Sequence, residues 1–269
     1  MPQPLPVAAV RRLTATSSGT DDGVSRRPAV DADRTLIESA VRQSFLREVD
    51  DDLMAAIVGS SAIVSAAGGA IVYGTTGATD VVVIVAAGLT RAFATSPDGR
   101  QITVLYGRPG GPALVRALAR GRAAPVSIQA LEPTIGIEIP ASLVQEAAAA
   151  DPSISLALAA ELQSLILEGF AAMGASAIGS VRGMLAWHLL QLAGPTSPDG
   201  PVTIDIAQRD LAAIVGSARE VVARALGVLR AEGVVETGPG GITLADSTRL
   251  ASIAASVRPV SHLGGRPTS

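Results

Sequence analysis

From about Leu53 to Ile139 the chain is a series of short apolar runs cut by glycine, threonine and proline. Ala62-Ile63-Val64, Ala70 to Tyr73 and Asp80 to Val85 are continuous runs. Gln101 to Tyr106, Val126 to Leu131 and Ile135 to Ile139 alternate apolar with polar or small residues. Alternation with a period of two marks a half-buried strand. The breaks carry turn chemistry: Ser96-Pro97-Asp98-Gly99-Arg100 between two strand-like runs, then Gly107 to Gly111. Strands this short at this spacing predict a small antiparallel barrel or jelly roll.

After Pro140 the period changes. Ser142 to Ala193 is nearly all helix-forming residues, interrupted at Asp151-Pro152, where Asp151 is a candidate N-cap and Pro152 a tolerated first helical residue. The following helix is apolar on two sides: Leu158, Leu162 and Leu165 on one, Leu156, Ile166, Leu167, Phe170 and Met173 on the other. A helix apolar all round must be covered on both sides. The barrel can cover one side, and the same helix of a second subunit the other. Leu158, Leu162, Leu165 and Phe170 are the candidate dimerisation residues. A further helix from about Ser176 to Leu192 carries Arg182, Trp187 and His188 and ends in a Gly194 to Pro201 loop.

The last quarter holds two closely spaced helices, Ala207 to Val215 and one reaching Gly233, with Gly216 at the turn and Ser217 a candidate N-cap. Val222, Leu226 and Leu229 form one inward stripe. Arg219, Glu220, Ala223 and Arg224 fall opposite it. Val234 to Thr237 and Ile242 to Leu244 flank Gly238-Pro239-Gly240-Gly241 as a hairpin. Helix, glycine turn, helix and glycine-rich hairpin together predict a winged helix-turn-helix. An α-helix fits the major groove, where Arg bonds guanine O6 and N7 and Glu accepts from cytosine N4. The plainer reading of Arg219, Glu220 and Arg224 is a solvated, salt-bridged helix face.

Composition narrows the chemistry. The chain has 269 residues, 48% hydrophobic but 2% aromatic, so its core is aliphatic. It has no cysteine, which removes disulfides, thiolate metal sites and a cysteine nucleophile. The two histidines, His188 and His262, are too few for a typical histidine-rich zinc site. The net charge is -3 and every basic residue is arginine, so attraction to nucleic acid must be local. No nucleophile–base pair or phosphate loop is visible, and the chain does not read as an enzyme. The window from Leu53 to Thr90 carries one charge, Asp80, but its glycine breaks favour soluble strands over a membrane span. The expected divisions are a solvated tail over 1–34, a barrel over 35–150, a dimerisation helix over 151–175, a winged helix-turn-helix over 176–250 and a flexible tail over 251–269. A DNA-touching arm using Arg11, Arg12, Arg26 and Arg27 is the alternative for the first tail.

Gln208-Arg209-Asp210-Leu211-Ala212 and Ile214 to Leu226 resemble the DNA-binding signature of the Crp–Fnr family of bacterial transcription regulators. Ser96 to Arg100 and Tyr106 to Gly110 are similar to its barrel turns, and Arg182, Leu185-Ala186 and Leu189-Leu190 to the helix that opens its DNA domain. The likeness covers roughly Leu36 to Leu250. It implies an α+β chain: a cyclic-nucleotide-binding-like antiparallel β-roll, a long dimerisation helix and a carboxy-terminal winged helix-turn-helix. It implies a cytoplasmic homodimer on a pseudo-palindromic double-stranded DNA site, with half-sites about 34 Å apart. Ser217, Arg219, Glu220, Arg224 and Gln208 become the DNA-contacting candidates, and RNA polymerase a further candidate partner.

The likeness fails at the effector pocket. Cyclic-nucleotide-binding members carry Gly-Glu, then Arg followed by Ser or Thr, the Arg forking onto the cyclic phosphate. Here the segment reads Gly110-Gly111-Pro112-Ala113-Leu114, then Ala123-Ala124-Pro125-Val126. That argues against cyclic AMP recognition of the usual kind and leaves another small effector open, with Arg116, Arg122 and Gln163 as candidate contacts. Iron–sulfur sensing needs cysteines that are absent. The rival reading is a small-molecule or protein-binding barrel module whose helix-turn-helix is only a scaffold.

Overall fold

A computed structural model describes residues 23–75, 80–114, 126–194 and 201–257. They divide between two compact units, Met1–Ala94 with Leu105–Ile166, and Thr95–Val104 with Leu167–Ser269.

The first unit opens with strand β1 (Val24–Pro28), a 3-10 turn, helix α1 (Arg34–Arg42) and helix α2 (Asp51–Ser60). Strands β2 (Ala62–Ala66), β3 (Ile71–Tyr73), β4 (Val81–Ala87), β5 (Thr90–Thr95), β6 (Gln101–Gly107, of which Gln101 to Val104 are counted with the second unit), β7 (Pro112–Leu114), β8 (Ser127–Ala130) and β9 (Thr134–Pro140) follow. They form a five-stranded sheet in the order β1-β2-β9-β4-β7 and a four-stranded sheet in the order β3-β8-β5-β6. The paired strands are antiparallel. This is the expected roll.

β9 shows how alternation builds it. Ile135, Ile137 and Ile139 are fully buried and pack with Ile37, Val41 and Ile57 of α1 and α2. Gly136 faces the other way. A side chain there would start 2.8 Å from Val64 and 3.1 Å from Val83, so only glycine lets the valines close over it. β4, Val81-Val82-Val83-Ile84-Val85, is apolar on both faces because both are covered.

The stretch expected as a solvated tail contains β1, which pairs with β2 from Val24↔Ala66 to Pro28↔Ala62. Side chains explain this better than hydropathy. Arg26 Nε donates to Glu138 Oε1 at 2.8 Å and Arg27 forks onto both oxygens of buried Asp33 at 2.6 and 2.7 Å. These partners tie the two arginines to carboxylates of the first unit; Arg11 and Arg12, the other members of the arm considered, lie outside the described residues. The Tyr73 hydroxyl donates to the same Glu138 oxygen. Burial, then the charge of Glu138, hold that hydroxyl well above its usual pKa, so it stays a donor. Helices α1 and α2 add to the expected elements and cover the five-stranded sheet; α1 does so with Ile37, Ala40 and Val41, an apolar stripe at helical spacing. Asp50 caps α2 by accepting from the Leu53 N–H at 2.8 Å.

Helix α3 (Ala141–Ala150) leads to α4 (Pro152–Ile178), and Asp151 accepts from the Ser153 N–H at 2.8 Å, as the N-cap reading requires. α4 runs three residues past the expected 175. Ile154, Ala172 and Ala175 are buried, and Leu158 and Leu165 half-buried. Leu156, Ile166, Leu167, Phe170 and Met173 are exposed at 71%, 56%, 60%, 64% and 49%. The stretch Pro152–Ser176 is also long and apolar enough to cross a membrane by length and composition.

The second unit contains α5 (Val181–Ala193), β10 (Val202–Ile204), α6 (Gln208–Val215), α7 (Arg219–Ala231), β11 (Val235–Gly238), β12 (Gly241–Leu244) and α8 (Ser247–Ala255). Its strands form an antiparallel sheet in the order β10-β12-β11. β10 and α8 add to the expected elements, and α8 occupies the start of the tail expected from 251. Asp246 caps α8 by accepting from the Arg249 N–H at 2.8 Å, while Leu250, Ala254 and Val257 are buried.

Candidate nucleic-acid interface

The interface is built on one local packing solution. Leu211 and Val215 of α6 and Val222, Leu226 and Leu229 of α7 sink into a core with Leu185, Leu189, Ile242 and Leu244. Between the helices Gly216 takes φ 68 and ψ 34, the left-handed conformation that favours glycine. Two carbonyls at this turn accept side-chain bonds from the Thr95–Val104 segment of the same unit. Thr103 Oγ1 donates to Ile214 O at 3.0 Å and Arg100 Nε to Gly216 O at 2.8 Å.

Ser217 is not the N-cap. Its N–H donates to Ala212 O at 3.2 Å, which ties Ser217 to the end of α6. Ala218 is the extended residue before α7, with φ -63 and ψ 144 and no side-chain cap bond. Ser217 therefore sits half-buried one residue upstream of the N-cap, Ala218. Gln208 is the first residue of α6.

With the apolar stripe fixed inward, Arg219, Glu220, Ala223 and Arg224 are exposed on the opposite side of α7. Among the described residues, the side chains of Arg219, Glu220 and Arg224 make no hydrogen bond or ion pair. That distinguishes them from Arg26, Arg27, Arg34, Arg42, Arg182 and Arg249, which all face a carboxylate. Of the plainer reading, a solvated, salt-bridged face, the described residues show the solvation and no salt bridge at these three positions. β11 and β12 form the wing, closing at Gly238↔Gly241. A side chain on Gly241 would start 2.1 Å from Ile204 O, so the wing can lie against β10 only with glycine there.

Val64, Ala66, Val72, Tyr73, Val83 and Ile128 are among the residues lining a cavity of about 10 Å³, room for at most about one water. Arg116, Arg122 and the Ala124-Pro125 pair lie outside the described residues. Gln163 is exposed on α4, among Leu162, Ile166, Leu167 and Phe170. Of the four dimerisation candidates, Leu162 and Phe170 are exposed, whereas Leu158 packs against the first unit's own core and Leu165 is half-buried. His188 is 3% exposed with its ring 4.6 Å from that of Trp187, a core position. His262 lies outside the described residues. Among those residues no cluster of metal-ligating side chains occurs.

Residues 184–253 match the model of the Crp-like helix-turn-helix domain. The chain is 30% identical over 190 residues to the transcriptional regulator SdrP of Thermus thermophilus, spanning 68% of this chain and 88% of that protein. Among solved structures it is similar to TTHA1359, a CRP/FNR-family transcriptional regulator, also from Thermus thermophilus. There the identity is 28%, the TM-score 0.60 and the coverage 72% of this chain and 98% of that one. It also shares its fold with FixK2 from Bradyrhizobium japonicum, at 22% identity, TM-score 0.61 and coverage of 71% and 96%.

Proposed function

The chain belongs to the Crp–Fnr family of transcription regulators and carries its helix-turn-helix DNA-binding domain, and from that premise we propose that it acts in the cytoplasm as a homodimer, each subunit reading half of a pseudo-palindromic site. One observation carries the reading: Arg219, Glu220 and Arg224 stand exposed and unpaired on the outward side of α7. Arg219 and Arg224 supply forks for guanine edges and Glu220 an acceptor for cytosine N4. Ser217, Gln208 and the wing supply phosphate contacts that set register without reading sequence.

The uncovered side of α4 is the proposed subunit interface. Leu156, Leu162, Ile166, Leu167, Phe170 and Met173 are the large hydrophobic side chains exposed there. Fully burying such a side chain contributes about 1.5–3 kcal/mol. A second α4 covers them symmetrically and supplies the two-fold axis that half-sites about 34 Å apart require. Glu161 and Glu168 interrupt this segment, and a charge at a bilayer centre costs at least ~2.5–3.5 kcal/mol, so a second copy is the better cover. The proposed divisions are a barrel ending near Ala150, a dimerisation helix and a DNA domain from about 176 to 250. The barrel receives either a protein contact, RNA polymerase included, or an effector other than cyclic AMP held near Arg116 and Arg122. Gln163 belongs with the subunit interface.

The test begins with duplexes selected by the full-length protein from a random-sequence pool. Arg219→Ala should cost about 1–3 kcal/mol on the selected duplex and relax preference at one base position. Equal loss on selected and shuffled duplexes contradicts base reading. An absence of salt-dependent DNA binding by the unaltered protein favours the scaffold reading instead.

A further inference from the structure

The end of α7 remote from the reading residues is held in an unusual way. Glu232 is its C-cap, and an acid there opposes the helix dipole. Two arginines offset it. Arg182, in the first turn of α5, places NH2 2.5 Å from Glu232 Oε2. Arg249, in the first turn of α8, donates to the Glu232 carbonyl at 3.2 Å and stands 3.6 Å from the same carboxylate oxygen. Arg182 Nε is buried without a partner, so the guanidinium is aimed at Glu232 at a desolvation cost.

The same two helices lock together beside Arg182. Val257, just past α8, is 2% exposed. A side chain on Gly183 would start 2.3 Å from Val257 Cγ1, and one on Gly179 2.8 Å from it. Val257 thus seats directly on the backbone at the α4–α5 junction, in a notch that only glycines leave open. Three elements meet at one carboxylate: the start of α5, the end of the reading helix, and α8.

We propose that Glu232 is a positioning residue for DNA reading, fixing the direction of α7 through Arg182 and Arg249; the proposal rests on α7 being the reading helix. The lever is long. The thirteen residues of α7 span roughly 20 Å at about 1.5 Å per residue, so a tilt of about 5° at Glu232 moves Arg219 by roughly 1.7 Å. A bidentate arginine–guanine pair tolerates no such shift, whereas phosphate attraction does.

The experiment measures binding of full-length variants to the selected duplex and to a shuffled one by fluorescence anisotropy. Glu232→Gln should weaken the selected duplex about tenfold, the effect of losing a charged hydrogen bond. The shuffled duplex should change by less than about twofold and the salt slope should hold, since no phosphate contact is lost. Arg182→Lys, which keeps the charge, should retain selected-site binding within about threefold, whereas Arg182→Gln loses it. The Arg182→Gln/Glu232→Gln pair should lose no more than Glu232→Gln alone, because Arg182 acts only through Glu232. Arg249→Gln removes only the α8 link and should lose affinity in the same direction; it stands in if Glu232→Gln proves unstable. Unchanged selected-site binding, equal loss on both duplexes, or additive losses in the double variant overturn the proposal. A wild-type protein that selects no sequence sinks base reading itself, and with it any role for Glu232; a wild type that selects one while Glu232→Gln binds normally sinks the positioning role alone.

Discussion

Gly216 and Gly233 have nearly the same backbone, φ 68 and 70, and close the two helices of the DNA-binding motif. Their surroundings differ. A side chain on Gly233 meets nothing within 4 Å, whereas one on Gly216 starts 2.4 Å from the backbone carbonyl oxygen of Gln101, well under the 3.0 Å that real Cβ atoms respect. Gly233→Ala therefore carries only the left-handed backbone cost, ~1–2 kcal/mol. Gly216→Ala adds an overlap with a strand backbone that cannot swing aside, ~1–3 kcal/mol more by analogy with overpacking. Asparagine separates the two costs, because it tolerates the left-handed region but still carries a Cβ. Gly233→Asn should recover most of the loss and Gly216→Asn little. Trp187, the sole tryptophan, sits in α5 against the core of the DNA domain, so its fluorescence in urea reports that domain. Equal midpoint shifts for the two alanine variants, or full recovery by Gly216→Asn, would mean that the Gln101 carbonyl does not lie against the turn.

Phe170→Asp, on the uncovered side of α4, should give monomers in sedimentation and a large loss of selected-duplex binding with the Trp187 transition preserved; a dimer of unchanged affinity refutes that interface, and partition into detergent micelles supports a membrane role. For Asp33, hydrogen bonding from Arg27 holds the carboxyl below its usual range. The folded state therefore binds fewer protons than the unfolded one, and the contribution is present above the unfolded carboxyl value, about 4, and lost as pH falls through the folded value. Asp33→Asn should cost about 1–3 kcal/mol at neutral pH in urea unfolding followed by circular dichroism, with the gap narrowing in acid; a gap constant with pH contradicts the pairing. Cyclic AMP should leave selected-duplex affinity unmoved in anisotropy titrations, since the sequence offers no Glu after Gly110-Gly111 and Ala124-Pro125 where an Arg fork for the cyclic phosphate would be needed; a saturable increase overturns this.

What can be read from sequence follows how far apart the interacting residues lie. In α7 the signal is local. Val222, Leu226 and Leu229 recur at helical spacing, Gly216 marks the turn, and the charges opposite the stripe have nowhere to go but outward. The N-cap is displaced by one residue because Ser217 already serves the end of α6 through its N–H, a competition no propensity encodes. β1 is illegible for the opposite reason. Val-Ser-Arg-Arg-Pro has one buried apolar residue, and what orders it are partners far along the chain, such as Glu138, 112 positions from Arg26. On α4 both apolar stripes are visible in the sequence, but which faces the first unit depends on where Leu158 meets the packed core, and that is a tertiary fact.

The same distinction bears on control of DNA binding. Reading residues need only a helix with one buried stripe, which three or four local positions specify. Aiming that helix needs contacts from elsewhere, and those fall on Arg182, Glu232 and Arg249, residues that a sequence alone presents as ordinary surface charges. An arginine that leaves its Nε buried and unbonded, and an acid at the wrong end of a helix dipole, are each locally unfavourable. Such local conflicts gather where another requirement wins. In this chain that requirement is direction: α7 can present Arg219 to a base edge only if its far end does not pivot.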